Sequence, residues 1–307
     1  MGRNHLRVLQ TLPNVELVAV SDLRGLRLVE TTAAIPDLQG YTNFEDMLDT
    51  AELDAVVIAT PTACHFDHAS ASLERGIPTF VEKPLADEAP LAQDLANAST
   101  TLGVPLMVGH IERFNPAVLR LREVLHLAGQ VQFIETRRSG LREARTRSAT
   151  GVGMELATHD VDIINWLLGE YPVRAYASTA CVQLTSGRED LLNGTLKYPS
   201  GAVGSVSADW LSPRKVRKLR VLGSEGAFDL DYIDQKLTYY SAEGTPLEIE
   251  VVHHEPLATE LKAFFASLEA GHSVMPTSAN DGAWAVRIVD ALIDSGQMGE
   301  PVGFDHG

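Results

Sequence analysis

The sequence predicts an α/β protein: a doubly wound parallel sheet, followed by an α+β region with a large, mostly antiparallel open sheet. Three features of its 307 residues predict this. Short apolar runs alternate with helical stretches through the first third. Each of those runs ends in polar residues. Beyond Tyr171 the pattern changes to β-forming segments joined by tight turns such as Pro199-Ser200-Gly201 and Gly223-Ser224-Glu225-Gly226. Alternation implies a parallel sheet covered by helices, and closely spaced strands imply an antiparallel meander.

In chain order, Asn4–Thr11 reads as a helix and Val15–Val20 as a strand ending at Ser21-Asp22. Helices are expected near 24–33 and 44–48, then a strand over Asp54–Ala59 that stops at Thr60-Pro61-Thr62. His65 opens the next helix. Pro78–Val81 is a short buried strand that runs into Glu82-Lys83-Pro84. A helix over 89–102 precedes the strand Pro105–Val108, which ends at Gly109-His110. In parallel sheets functional groups gather beyond the carboxyl ends of the strands, so Lys83 is placed at a crevice. A desolvated lysine there is a candidate proton donor or acceptor. The bland alternative is a solvated Glu-Lys pair.

Asp22 lies 20 residues after Gly2. In dinucleotide-binding βαβ units a carboxylate at that distance from the glycine-rich turn takes the ribose hydroxyls. Gly2 is therefore expected to be the last glycine of a Gly-x-Gly-x-x-Gly turn whose first two glycines, with the preceding strand, fall upstream of Met1. The alternative is a plain N-terminal glycine.

Further on, Asn115–Ala128 reads as a helix and Gln130–Arg138 as a strand. Arg137, Arg138, Arg142, Arg145 and Arg147 put five arginines into eleven residues of a chain with formal charge −16. Either this is a solvated loop, or the guanidinium groups bind phosphate oxygens, as a nucleotide-sugar diphosphate would require. In the segment Gly151–Gly169, Glu155, His159 and Asp162 are spaced i, i+4 and i+7 and share one helical face. A carboxylate one turn from an imidazole can orient it as a general base. The same three residues as metal ligands would lack a fourth, and no metal is expected. Strands follow over 173–182, 191–198, 201–210, 217–223 and 226–230, then helices near 257–270 and 281–295.

Composition narrows the classes. At 45% hydrophobic and 21% charged residues the chain is that of a globular protein of about two domains. Net negative charge argues against general binding to nucleic acid or an anionic membrane. There is no long apolar run or leader-like start, and the two cysteines, Cys64 and Cys181, are not a Cys-x-x-Cys pair, so a reducing, cytoplasmic setting is expected.

Thr60-Pro61 with His65, then Val81-Glu82-Lys83-Pro84, then Gly109-His110-Ile111-Glu112-Arg113-Phe114-Asn115-Pro116 together resemble the glucose-fructose oxidoreductase and inositol 2-dehydrogenase (Gfo/Idh/MocA) family. The resemblance implies an NAD(P)-dependent sugar, cyclitol or nucleotide-sugar oxidoreductase. Its expected parts are a Rossmann domain at 1–117, a substrate and oligomerisation domain at 118–280, and a C-terminal helix and tail at 281–307 that pack back on the first. It implies Lys83, His159 and Glu155 as catalytic residues. The position of Glu155 is usually aspartate in the family, which leaves the role of its longer arm open. Gly2, Asp22, Thr60, Pro61, His65, Glu82 and Lys83 would bind cofactor, and His110, Arg113, Asn115, Arg142 and Asp162 would bind substrate. Asp22 favours NAD over NADP, since a carboxylate repels a 2′-phosphate. The Gly109–Pro116 run and the arginine-rich loop most resemble members acting on UDP-N-acetylglucosamine at its 3-position. A cyclitol dehydrogenase is the alternative enzyme, and a sugar-nucleotide or dinucleotide-binding regulator without turnover the alternative class. A homo-oligomer through the open sheet face is expected.

Overall fold

The computed structural model describes all residues except 142–149, 183–186, 272–274 and 306–307. Its first part alternates strand and helix, with β2 a strand not expected between the two helices it separates: α1 (Gly2–Leu9), β1 (Ala19–Ser21), α2 (Gly25–Ala34), β2 (Gln39–Tyr41), α3 (Phe44–Thr50), β3 (Val56–Ile58), α4 (His65–Glu74), β4 (Thr79–Glu82), α5 (Ala89–Leu102) and β5 (Leu106–Gly109). Strands β3, β4 and β5 form one parallel sheet, and β1 pairs parallel with β2 in a second piece. The free edges of β1 and β3 both line a cavity of about 2570 Å³, together with α1. Of the expected strand over 15–20 only Ala19 and Val20 fall in β1, which runs on to Ser21 and pairs with β2 alone among the described residues.

After a 3₁₀ turn (Ile111–Phe114) come α6 (Pro116–Val124) and the long strand β6 (Val131–Leu141). A π-helical turn (Gly153–Ala157) then leads into α7 (Thr158–Leu168). The meander is β7 (Arg174–Ala180), β8 (Leu191–Lys197), β9 (Val203–Ser212), β10 (Val216–Gly223), β11 (Gly226–Asp231), β12 (Lys236–Ser241) and β13 (Pro246–Ile249). Helices α8 (Pro256–Glu269) and α9 (Ala279–Met298) and the short β14 (Val302–Gly303) complete the chain. The large sheet has nine strands in the order β13-β12-β11-β10-β6-β9-β8-β7-β14. Every pair but β6–β9 whose direction is given is antiparallel.

Burial alternates along its strands, so one face is core and the other open. Ile134, Thr136, Leu192, Leu196 and Val206 point inward, while Glu135, Arg137, Thr195 and Tyr176 lie on the exposed side. Helix α9 covers the inner face and also reaches the parallel sheet. Small residues let it approach both. A Cβ on Gly282 would sit 2.6 Å from Val108 Cγ2, and one on Gly194 2.6 Å from Leu292 Cδ2. Its N-terminus is closed by a capping box between Ser278 and Asp281. Helix α8 packs instead on α1 and the 3₁₀ turn, joining a second core of Val8, Leu9, Leu12, Phe80, Met107, Leu261 and Phe264.

Candidate active site

The parallel register aligns Val81 with Ile58 and Glu82 with Gly109, so Thr60-Pro61, Glu82-Lys83 and Gly109-His110 emerge side by side at one edge. His65, the first residue of α4, ties two of these ends together. Its ring nitrogens lie 2.7 Å from Pro84 O and 3.0 Å from Thr60 O. Both partners are carbonyl acceptors, so a ring N–H donates to one of them while the other nitrogen lies against the second, and the ring spans the two turns. The Lys83–Pro84 peptide is cis.

The second sheet delivers the remaining groups. Lys83 Nζ lies 3.0 Å from Glu155 O and 3.1 Å from Glu155 Oε2, with the lysine side chain only 13% exposed. The π-helical turn inserts one residue per turn relative to an α-helix. Glu155 stands within this turn, and Thr150 Oγ1 also reaches its carboxylate at 3.4 Å. The carboxylate expected to orient His159 thus also holds Lys83. His159, one turn on, is buried, and its Nδ1 has no hydrogen-bond partner among the described residues. Burial, and then the positive charges of Lys83, Arg138 and Arg217, push its pKa well below the ordinary histidine value. Burial and these charges thus favour the neutral imidazole.

Asp162 faces elsewhere. It is 2% exposed and forms a two-point ion pair with Arg113, whose Nε lies 2.9 and 3.1 Å from its oxygens. Arg113 also pairs with Asp281 at 3.2 Å. Its guanidinium is engaged inside the protein, and these carboxylates raise its pKa although burial opposes them. Asn115 is likewise internal, accepting from Ala117 N at 3.1 Å and donating to Tyr232 O at 3.0 Å. As free substrate donors, Arg113 and Asn115 give way to roles in the frame. His110 lies closer to the chemistry. Its Nδ1 is 3.8 Å from Asp162 Oδ2, neither ring nitrogen is hydrogen-bonded among the described residues, and burial lowers its pKa.

The arginine-rich stretch divides. Arg142, Arg145 and Arg147 lie outside the described residues. Arg137 is on the open face of β6, whereas Arg138 is 1% exposed and bound to Asp160 and, at 2.7 Å, to Glu112. That guanidinium, expected as a phosphate donor, is consumed by two buried carboxylates that keep it charged.

Gly2, Asp22, Thr60 and Pro61 all line the cavity of about 2570 Å³ beside α1. The Asp22 carboxylate is fixed by Arg24 N, which donates to Oδ1 at 2.8 Å. A helix N-terminus, the Asp22 carboxylate and the turn after β3 thus border one space. Glu82 is held by His5, 2.7 Å from Oε1. His5 and Glu260 are buried polar residues missed in the sequence. The available signal was their place in apolar stripes, His5 with Val8, Leu9 and Leu12, and Glu260 with Leu257, Leu261 and Phe264.

The family model for oxidoreductases with an NAD-binding Rossmann fold, GFO/IDH/MocA, matches residues 1–110, and the model of that family's C-terminal domain matches 121–229. The chain belongs to the GFO/IDH/MocA oxidoreductase family. Among family members, a UDP-N-acetylglucosamine 3-dehydrogenase from Acidithiobacillus ferrooxidans is 24% identical, over 95% of this chain and 92% of that protein. An inositol 2-dehydrogenase from Saccharopolyspora erythraea is 33% identical over 187 residues, covering 58% of this chain and 54% of its own. A solved structure of the Acidithiobacillus ferrooxidans enzyme superposes with a TM-score of 0.87 at 23% identity, over 96% of this chain and 93% of that one. The GFO/IDH/MocA fold thus extends through both sheets. Among the described residues no helix is long and apolar enough to cross a membrane.

Proposed function

We propose that the chain oxidises a secondary hydroxyl of a sugar or nucleotide sugar, or runs the reverse reduction, with NAD as the redox partner. The observation that carries this reading is the meeting of Lys83, at the end of β4, with Glu155, 72 residues away and one turn before the neutral His159. When bound, NAD supplies the hydride acceptor. Gly2, Asp22, Thr60 and Pro61 hold the dinucleotide, and Glu82 with Lys83 faces its reactive end. The substrate hydroxyl proton passes to the Lys83–His159 pair while Glu155 balances the charge on Lys83. His110 stands beside the pair as a substrate-facing donor or acceptor.

Similarity to a UDP-N-acetylglucosamine 3-dehydrogenase over 95% of the chain supports a nucleotide-sugar substrate. The engagement of Arg138 by Asp160 and Glu112 removes one cation from the proposed diphosphate site. That loss, with the 33% identity to an inositol 2-dehydrogenase, favours a cyclitol as the second reading. NADH formation from NAD with a panel of UDP-sugars, free sugars and inositols separates the two. Turnover on UDP-N-acetylglucosamine that Lys83→Ala abolishes is the expected result. Dinucleotide binding with no turnover on any of the panel would replace the enzyme by a regulator.

A further inference from the structure

A second group of buried titratable side chains lies behind β4, and two of its members, His5 and Glu260, take no part in the chemistry above. Glu82 belongs to the same face of β4 as Phe80, toward α1 and α8. His5, 2% exposed, places Nε2 at 2.7 Å from Glu82 Oε1 and packs edge-on against Phe80, with ring centroids 5.5 Å apart. Phe80 in turn packs against Phe264 of α8 at 5.8 Å. The other oxygen of Glu82 lies over Gly109, where a Cβ would be only 3.3 Å from it. That clearance fixes the carboxylate between His5 and the β5 backbone.

Glu260 closes this group from α8. It is 0% exposed, and neither carboxyl oxygen has a hydrogen-bond partner among the described residues. An ionised carboxylate in that position would have no compensation. The charges facing it are mostly of its own sign: Glu82 from β4, Glu112 from the 3₁₀ turn and Asp162 from α7, all of which, with burial as the larger cause, push its pKa well above the ordinary value. No cation is among the groups acting on it. Arg113 pairs with Asp162 and Asp281, Arg7 of α1 pairs with Glu255, and His5 Nδ1 is unpartnered among the described residues.

We propose that His5 and Glu260 are positioning residues of the active site: His5 fixes the Glu82 carboxylate next to Lys83, and Glu260 stays protonated so that only one negative charge sits behind that turn. Ionisation of Glu260 in alkaline solution places a second charge beside Glu82. The turn that carries Lys83 then shifts, and cofactor binding and turnover fall together. The functional consequence rests on the oxidoreductase reading, while the state of Glu260 does not.

The test uses the full chain and begins without turnover. Infrared difference spectra between wild type and Glu260→Gln at neutral pH should show the carbonyl stretch of a protonated carboxylic acid in the wild type alone. In Glu82→Gln that band should persist to higher pH, because a like charge has been removed. The second readout is the pH profile of NADH affinity and of kcat/KM. Glu260→Gln should move the alkaline limb to higher pH, and His5→Gln should weaken NADH binding by about tenfold, the worth of one lost charge-assisted hydrogen bond. A purely structural Glu260 would lower melting temperature and activity at every pH and leave the limb in place. No protonated-acid band assignable to Glu260, or an unmoved limb in Glu260→Gln, overturns the proposal. A band that responds to Glu82→Gln in a protein that turns over no sugar would instead sink the oxidoreductase reading and leave the buried pair standing. Should Glu260→Gln fail to fold, the titration of the band in wild type against Glu82→Gln decides alone.

Discussion

Lys83 donates to both the backbone carbonyl and the carboxylate of Glu155, at 3.0 and 3.1 Å, and so fastens the end of β4 to the π-helical turn before α7. One residue from each sheet's territory is needed to make this contact. The two contacts differ in what a mutation removes. Glu155→Gln keeps the carbonyl acceptor and loses the counter-charge, so kcat should fall by about tenfold. Lys83→Met removes the proposed proton-transfer group and should cost about 10²- to 10⁴-fold. Steady-state rates alongside NADH affinity check the pair. Equal losses for the two variants would show that the charge on Glu155, and not the amine of Lys83, is what matters.

Acid should destabilise the fold through its buried histidines. Burial is the leading cause that depresses the pKa of both His110 and His159 below the ordinary histidine value of about 6.5. Below that value the unfolded chain binds protons that the folded chain refuses. Stability is therefore present above pH 6.5 and lost as pH falls, with a limiting slope of about 1.4 kcal/mol per pH unit for each histidine. Urea unfolding between neutral and mildly acid pH measures the slope. His159→Asn should make it shallower.

Asp290 acts with the opposite sign. Burial is the largest cause raising its pKa, to about 6, with Asp294, Glu88 and Asp87 adding to it, against the hydrogen bond it accepts from Ala89 N at 3.0 Å. The penalty for ionising it in the fold grows as pH rises through that range and stays at higher pH. Asp290→Asn retains an acceptor for Ala89 N. After allowance for solvent screening it should stabilise the protein by about 1 kcal/mol at neutral pH, and by nothing near pH 4. Equal stabilisation at both pH values would assign the gain to something other than charge.

Arg138 should be the most costly of the arginines to lose. It is held between Asp160 and Glu112, and Arg138→Met leaves both carboxylates buried without their main partner. The expected cost is about 3–5 kcal/mol in denaturant unfolding. Arg137→Ala, on the open sheet face, should change stability by less than about 0.5 kcal/mol.

These contrasts mark where the sequence was legible. The alternating first part and the α5 helix at 89–102 were readable because each element is short and bounded by polar residues or Pro. The turns at Thr60, Lys83 and His110 were readable because strand ends carry their signal locally. Strands β12 and β13 were not. They lie at the sheet's edge, and residues such as Thr238, Tyr239, Tyr240 and Ser241 are all partly exposed, so no period of two appears. The contact of Glu155 with Lys83 was not legible, because a π-helical turn leaves no mark in hydrophobic spacing. Arg138 and Glu260 could be assigned only once tertiary packing had buried them, since charged residues are expected at the surface.

Asp22 is the residue proposed to choose between the two dinucleotides. Its carboxylate is held by Arg24 N at 2.8 Å and lines the cavity next to α1, with Arg24 and Arg27 on the same wall. A 2′-phosphate there would meet the carboxylate first, which is the physical ground for proposing NAD. Asp22→Ser removes that charge, keeps a short polar side chain for the turn, and leaves the two arginines to pair with phosphate. The ratio of kcat/KM for NADP to that for NAD should rise by about tenfold to a hundredfold, the worth of one charge-assisted hydrogen bond. The comparison needs both cofactors at one ionic strength, because exposed charges are screened. A ratio that does not move would place the ribose away from Asp22 and transfer the specificity to another residue of the cavity wall.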